Sequence, residues 1–216
     1  MAETLITLAI IGVVAALTLP SLVEKYKQQV IITKLNKAYS IISQAYMSAK
    51  DNNGEIKDWN LKNYTESQSD EEDILYYLLP YLKVQKFCGK KEKGCFPDVR
   101  YGSIGSTGFG INLNSSNWYS KAVLADGSVV ASITYSDFDG VIRIDVNGSN
   151  PPNILGIDLF SFYFNSNKIV PLGIYGVGAA SPTNSFYINR GDYCTAWVIY
   201  GKTMDYIKDK KCEPYK

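Results

Sequence analysis

Histidine is absent from the 216 residues of the chain, and neither sign of charge is in clear excess. Without histidine, the Ser-His-Asp triad, the Cys-His pair and metal sites that need imidazole ligands are excluded. The glycine pattern that holds phosphates is also missing. A formal net charge of +1 gives no electrostatic reason to expect nucleic-acid binding. We therefore expect a protein that is not an enzyme and requires no cofactor.

Basic residues are missing ahead of the first apolar run, Thr4 to Val23, which is 20 residues long. A helix of that length spans roughly 30 Å, the thickness of the hydrocarbon core of a bilayer. A cleaved signal peptide has a basic start, a shorter apolar centre and a small-x-small cleavage site, and this run has none of them. The run therefore predicts a membrane-spanning helix over residues 1–23.

An amphipathic pattern follows the apolar run without a break. Its apolar residues fall mostly three or four positions apart, at Val23, Tyr26, Val30, Leu35, Ala38, Ile42, Ala45 and Tyr46. This spacing predicts that the same helix continues over residues 24–50 and ends at the cluster Asp51-Asn52-Asn53-Gly54. Within the helix, Gly12 and Pro20 predict weak points, because glycine lowers helix stability and proline removes a backbone hydrogen bond.

The segment AETLITLAIIGVVAALTLP, from Ala2 to Pro20, resembles the N-terminus of type IV pilins and type II secretion pseudopilins. In that family, the acid at the position of Glu3 pairs with the N-terminal amine of a neighbouring subunit during assembly. The physical reason agrees, because a carboxylate among apolar helices is costly unless it is paired. The resemblance implies that Glu3, Gly12 and Pro20 belong to a helix through which subunits assemble.

Members of the family also begin with a short basic leader. It is followed by Gly-Phe-Thr and by Leu or Met, and the Ala-Glu positions come next. Met1 stands at the family's Leu-or-Met position, so the leader and the junction cut by the prepilin peptidase are not in this sequence. We expect either that translation was assigned to an internal Met codon or that the sequence was trimmed. The resemblance implies as partners the chain itself, other pilin-like subunits, an inner-membrane assembly platform and the peptidase.

Four cysteines, Cys88, Cys95, Cys194 and Cys212, allow three disulfide pairings. We favour the local pairing, because Cys88 and Cys95 lie in a short loop rich in Gly and Lys, and the other two bracket the last segment. Zinc is the alternative, although the chain has no Cys-x-x-Cys pair and no histidine. A disulfide near the C-terminus also resembles the pilin family.

Two signals disagree about the compartment of the C-terminal part. Disulfides predict an oxidising space outside the cytoplasm, whereas the lysines that follow the apolar run predict a cytoplasmic location by the positive-inside rule. The basic leader of the family would add positive charges ahead of the span and would thereby remove the disagreement. The resemblance implies a single span in the bacterial inner membrane, with the head in the periplasm or outside the cell.

Residues 51–216 predict one globular head of α+β type. The acids of Ser69–Asp73 open a short helix through Ile74 to Leu79, and Asp126-Gly127 between apolar runs predicts a hairpin. We expect further strands in GVIRIDVNG and DLFSFYFNSNKIVPL, and one or two final strands in CTAWVIYGKTMDYI. The expected fold is pilin-like, with an antiparallel sheet across the amphipathic half of the long helix.

Oxygen-bearing side chains cluster between two of these strands. Asp145, Asn147, Asn153 and Asp158, with backbone carbonyls, have the hard oxygen ligands that Ca²⁺ prefers, although their spacing is not that of an EF-hand. The alternative, which we favour, is an Asn-Gly turn held by side-chain hydrogen bonds. The sequence Arg190-Gly191-Asp192 also spells an adhesion tripeptide, which we attribute to chance.

Three functional hypotheses fit parts of this pattern. A filament subunit accounts for the acid, the apolar run, the proline, the amphipathic extension and the cysteines together. A singly anchored binding or adhesion protein that never polymerises leaves Glu3 unexplained. The hypothesis of a membrane-tethered enzyme finds no catalytic arrangement of residues in the sequence. We therefore expect a pilin or pseudopilin subunit.

Overall fold

The computed structural model describes residues 2–67, 69–105, 110–177 and 185–216. Met1, the position at which the family's leader would join, lies outside the described residues. The helices are α1 Ala2–Asn53, α2 Ile74–Leu78, α3 Ser185–Arg190, α4 Cys194–Gly201 and α5 Tyr206–Asp209. The strands are β1 Val84–Gly89, β2 Gly102–Ser103, β3 Ser120–Leu124, β4 Val129–Ser136, β5 Asp139–Asp145, β6 Ile154–Leu155, β7 Leu159–Phe164 and β8 Ile169–Pro171.

The helix α1 is 52 residues long and joins the predicted apolar and amphipathic halves. It ends at the predicted cluster, where Gly54 adopts a φ of 78° and donates its N–H to the Lys50 carbonyl at 2.9 Å. The helix continues through Pro20, so the weak point expected there does not end it. The hydroxyls of Thr18 and Ser21, which flank the proline, donate to the backbone carbonyls of Val14 and Thr18, both on its N-terminal side.

Eight strands of the described part form one sheet in the order β1-β3-β4-β5-β7-β6-β2, with β8 also paired to β7. The long strands pair antiparallel, which confirms the expected sheet. The two-residue strands β2 and β6 differ, because β6 pairs in parallel with both β2 and β7. The predicted hairpin joins β3 to β4, and Gly127 takes a φ of 83° in its turn.

Both faces of the sheet are covered. One face packs on the second half of α1 and carries Val130, Ile142, Phe160 and Phe162, and the rings of Tyr39 and Phe162 stack at 5.3 Å. Because neighbouring residues of a strand point to opposite sides, the other face carries Val129, Ala131, Ile133 and Val141, which form a separate core. The central strands are therefore buried along both faces, and few of their residues are exposed.

The predicted short helix is present but divided. A turn of 3₁₀ helix over Asp70–Glu72 has a capping box between Ser69 and Glu72. Asp73 then caps α2, because its carboxylate accepts the N–H of Leu75 at 3.0 Å.

The prediction of final strands in CTAWVIYGKTMDYI is wrong, because the structure has the helices α4 and α5 there. A short apolar run does not distinguish a buried strand from a buried helix. In α4 the buried positions are Cys194, Thr195, Ala196, Val198 and Ile199. This pattern does not alternate, and it suits a helix that is enclosed on several sides by α1, β7 and β8.

Candidate functional site

The first half of α1 is exposed and uncovered by the head in the single chain, and we call it the bare half. An 18-residue window of the helix has a mean hydropathy of 2.4, and none of that window is buried. Within the described residues, α1 is the one helix long and apolar enough to cross a membrane, a test that an N-terminal signal sequence also passes. The exposed large side chains of this half include Ile6, Leu8, Ile10, Ile11, Val13, Val14, Leu17, Leu19, Leu22 and Val23.

The head covers only the second half of α1. Burial starts at Ile32 and recurs at helical spacing through Leu35, Ala38, Ile42, Ala45, Tyr46 and Ala49. The predicted apolar stripe begins earlier than this burial, because Val23 and Tyr26 are exposed. About two turns that carry Glu24, Lys25 and Lys27 therefore separate the apolar run from the head.

Glu3 and Gly12 both lie on the bare half. Glu3 is the acid of the first turn, and among the described residues of one chain it forms no ion pair. A negative charge is favourable at a helix N-terminus. At Gly12, an added Cβ meets no atom of the described residues within 4 Å, so no contact in that part of the chain requires glycine there.

The four cysteines form two disulfides, Cys88–Cys95 and Cys194–Cys212. This is the local pairing that the sequence favoured. All four cysteines are buried, and the second bridge ties α4 to the C-terminal tail. Disulfides indicate an oxidising compartment outside the cytoplasm.

The predicted calcium ligands meet in one loop, where protein donors already bind the carboxylates. Asp158 accepts the N–H groups of Asn153 and Ile154, each at 2.7 Å. Asp145 accepts the N–H of Asn147 at 3.0 Å and the hydroxyl of Tyr101. Each of the four carboxylate oxygens therefore accepts a protein donor, and the loop is closed by hydrogen bonds of the kind that the turn interpretation predicts.

Two amide oxygens of this loop, Asn147 Oδ1 and Asn153 Oδ1, are buried without a hydrogen-bond partner in the described part of the chain. Within that part, no group of three His, Cys, Asp or Glu residues is placed to hold a metal. The pKa of Asp145 is raised to about 7, chiefly by burial; the hydrogen bond from the Tyr101 hydroxyl lowers it, and the neighbouring Asp158 carboxylate raises it. The donor set does not require calcium, and calcium binding stays an untested hypothesis.

The tripeptide Arg190-Gly191-Asp192 is not available as an adhesion loop. Arg190 is 7% exposed and Asp192 is fully buried, and Arg190 Nε lies 3.0 Å from Asp192 Oδ2. A second buried guanidinium, Arg143 of β5, approaches the same carboxylate with its Nη2 at 3.5 Å. Sequence reasoning missed Arg143, although a charged residue in the middle of the apolar strand GVIRIDV is a signal that could have found it.

A model of a family of unknown function (DUF6613) matches residues 21–175, which is more than half of the chain. The match takes in the second half of α1 and the whole sheet from β1 to β8. Comparisons with curated proteins and with solved structures find no match.

Proposed function

We propose that this chain, which belongs to the DUF6613 family, is a structural subunit of a filament of the type IV pilus or type II secretion kind. The bare half of α1 holds each subunit in the inner membrane with its head outside. During assembly that half leaves the lipid and packs against the same half of neighbouring subunits. The observation that carries the proposal is α1 itself, whose second half is covered by the head and whose first half is not.

The position of Glu3 supports assembly over simple anchoring. A carboxylate among apolar helices is costly unless it meets a positive charge. The described residues of a single chain supply no such charge to Glu3. In a bundle of subunits we expect the partner to come from another chain, and the resemblance to pilins implies the neighbour's N-terminal amine. The pairing fixes how far one apolar helix slides along the next.

Gly12 and Pro20 suit the same role. Small residues allow helices to approach closely in lipid, and Gly12 has open space around it in the single chain. Pro20 has no N–H to donate, so the helix is locally easier to bend when it passes from lipid into a protein bundle.

The test replaces Glu3 by alanine in cells that carry the assembly machinery. Glu24→Ala is the matched control, because Glu24 is an exposed acid on the same helix whose carboxylate accepts a hydrogen bond from Gln28 Nε2 at 3.2 Å. The measurement compares the amount of chain in the membrane fraction with the amount in filaments sheared from the cells.

We expect Glu3→Ala to insert in the membrane normally and to be absent from sheared filaments, while Glu24→Ala assembles like the wild type. Glu3→Ala present in sheared filaments at the wild-type level would show that assembly does not need Glu3, whereas absence of the wild-type chain from the filaments would favour an anchor that does not polymerise. Equal loss of assembly in both variants would mean that any charge on α1 is required, and it would remove the specific role of Glu3.

A further inference from the structure

A cavity of about 420 Å³ lies on the face of the sheet opposite α1. Its volume is within the range of small-molecule sites, roughly 300–1,000 Å³. Arg143 of β5 lines it and lies on the same face as Val141, away from the helix. The cavity therefore remains on the free side of the head when the other side is packed against α1.

Aromatic rings form the walls of this cavity. The rings of Tyr64 and Trp118 lie 5.3 Å apart, and those of Tyr64 and Tyr135 lie 6.1 Å apart. Tyr64 is held in place because its N–H donates to the Thr134 carbonyl at 2.9 Å. Trp118 is 57% exposed, so a large part of its ring can be reached from solvent.

Two guanidinium groups line the same cavity, and its described lining contains no carboxylate. Arg143 is almost fully buried, and its Nη1 donates to the Tyr119 hydroxyl at 2.6 Å. Within the described residues, Nε of Arg143 has no hydrogen-bond partner. Three groups linked by ion pairs, Arg143, Arg190 and Asp192, together carry a formal charge of +1. A positive formal charge at a buried position favours an anion as the bound group.

We infer that this cavity binds a small acidic sugar, in which a carboxylate meets the guanidinium groups and the ring packs on the aromatic walls. A planar guanidinium matches a carboxylate in two parallel hydrogen bonds. One face of a pyranose ring presents C–H groups and is flat enough to lie on the ring of Trp118. The sugar hydroxyls need polar partners, and Asn112 and Ser116 line the same cavity. The inference concerns the head alone and does not depend on filament assembly.

The test measures binding of D-galacturonate and D-glucuronate to the full chain in detergent micelles by isothermal titration calorimetry. The neutral sugars D-galactose and D-glucose and the aromatic acid benzoate are the comparison ligands. We expect saturable binding of at least one uronate, and weaker binding of its neutral counterpart by at least about tenfold, because a hydrogen bond to a charged group is lost.

Two variants locate the site. Trp118→Ala removes an exposed ring and leaves the core intact, and we expect it to weaken uronate binding roughly two- to tenfold. Arg143→Lys keeps the charge but loses the two-pronged geometry, and we expect it to lose most of the preference for the acid. Tyr175→Ala is the matched control, because Tyr175 is 58% exposed and lies outside the cavity lining.

Several results would overturn the inference. These are the absence of saturable uronate binding, equal affinity for the neutral sugars, and benzoate binding as tight as that of the uronates. Unchanged affinity in Trp118→Ala would place any binding elsewhere on the chain and would also overturn it. Should Arg143→Lys not fold, Trp118→Ala and the comparison of acidic with neutral sugars decide the question by themselves.

Discussion

Removing the disulfide Cys194–Cys212 should destabilise the head more than removing Cys88–Cys95. The bonded cysteines are separated by 18 residues in the first case and by 7 in the second. For loops of these lengths the chain-entropy model gives about 3.2 and about 2.4 kcal/mol of stabilisation, a difference of about 0.8 kcal/mol. The longer loop also contains α4, which packs on α1, β7 and β8, so its release should loosen that contact too.

The assay is guanidinium unfolding of the full chain in detergent micelles, with each cysteine pair replaced by alanines. All three tryptophans, Trp59, Trp118 and Trp197, lie in the head, so tryptophan fluorescence follows the unfolding of the head. Trp197 belongs to α4 and donates its indole N–H to the Glu213 carbonyl at 2.7 Å, so it reports directly on the longer loop. Equal destabilisation by the two double variants, or a larger effect from the Cys88–Cys95 pair, would refute the reasoning.

Three further predictions concern the core, the pH dependence and calcium. Ile42→Ala, at a fully enclosed position of α1, should lower the free energy of unfolding by about 2–5 kcal/mol, whereas the exposed Ile10→Ala should leave head unfolding unchanged; similar unfolding curves for both would contradict the packing described. Burial raises the pKa of Asp73, Asp145 and Asp158, that of Asp145 from 3.8 to about 7, so the native head binds more protons than the unfolded chain. No histidine opposes them, and the lowered pKa of Asp126 has the opposite effect chiefly below its unfolded value of 3.8. The free energy of unfolding should therefore fall as the pH rises from about 4 to about 7, and Asp73→Asn should flatten that slope in urea unfolding curves; a rise with pH would show that the assignment is wrong. The melting temperature should be the same in calcium and in EGTA, since protein donors already bind Asp145 and Asp158; a clear rise in calcium would restore the metal-site hypothesis.

The sequence predicted the elements whose local signals are strong. The end of α1 at Gly54 and the hairpin at Asp126-Gly127 follow from residues that tolerate positive φ. Whether CTAWVIYG forms a helix or a strand could not be predicted from the sequence. A short apolar segment that is buried on several sides has a similar composition in either structure.

The cavity was also beyond prediction from sequence. Arg143, Trp118 and Tyr64 come from a central strand and two separate loops, and only the fold brings them together. Arg190 and Asp192, which form an ion pair beside the cavity, stand out in the sequence only as parts of an adhesion tripeptide. Because both side chains are buried, the tripeptide contributes an internal ion pair and not an exposed adhesion loop.

The most direct test of filament assembly uses the unmodified chain. Cells that produce it are sheared, and the released fibres are sedimented, labelled with antibodies against the head and viewed by electron microscopy. If the chain is a filament subunit, label lies on the fibres and the chain is present in the sheared fraction. If the chain stays wholly in the membrane fraction while fibres form without it, the bare half of α1 is an anchor and the proposed assembly is wrong.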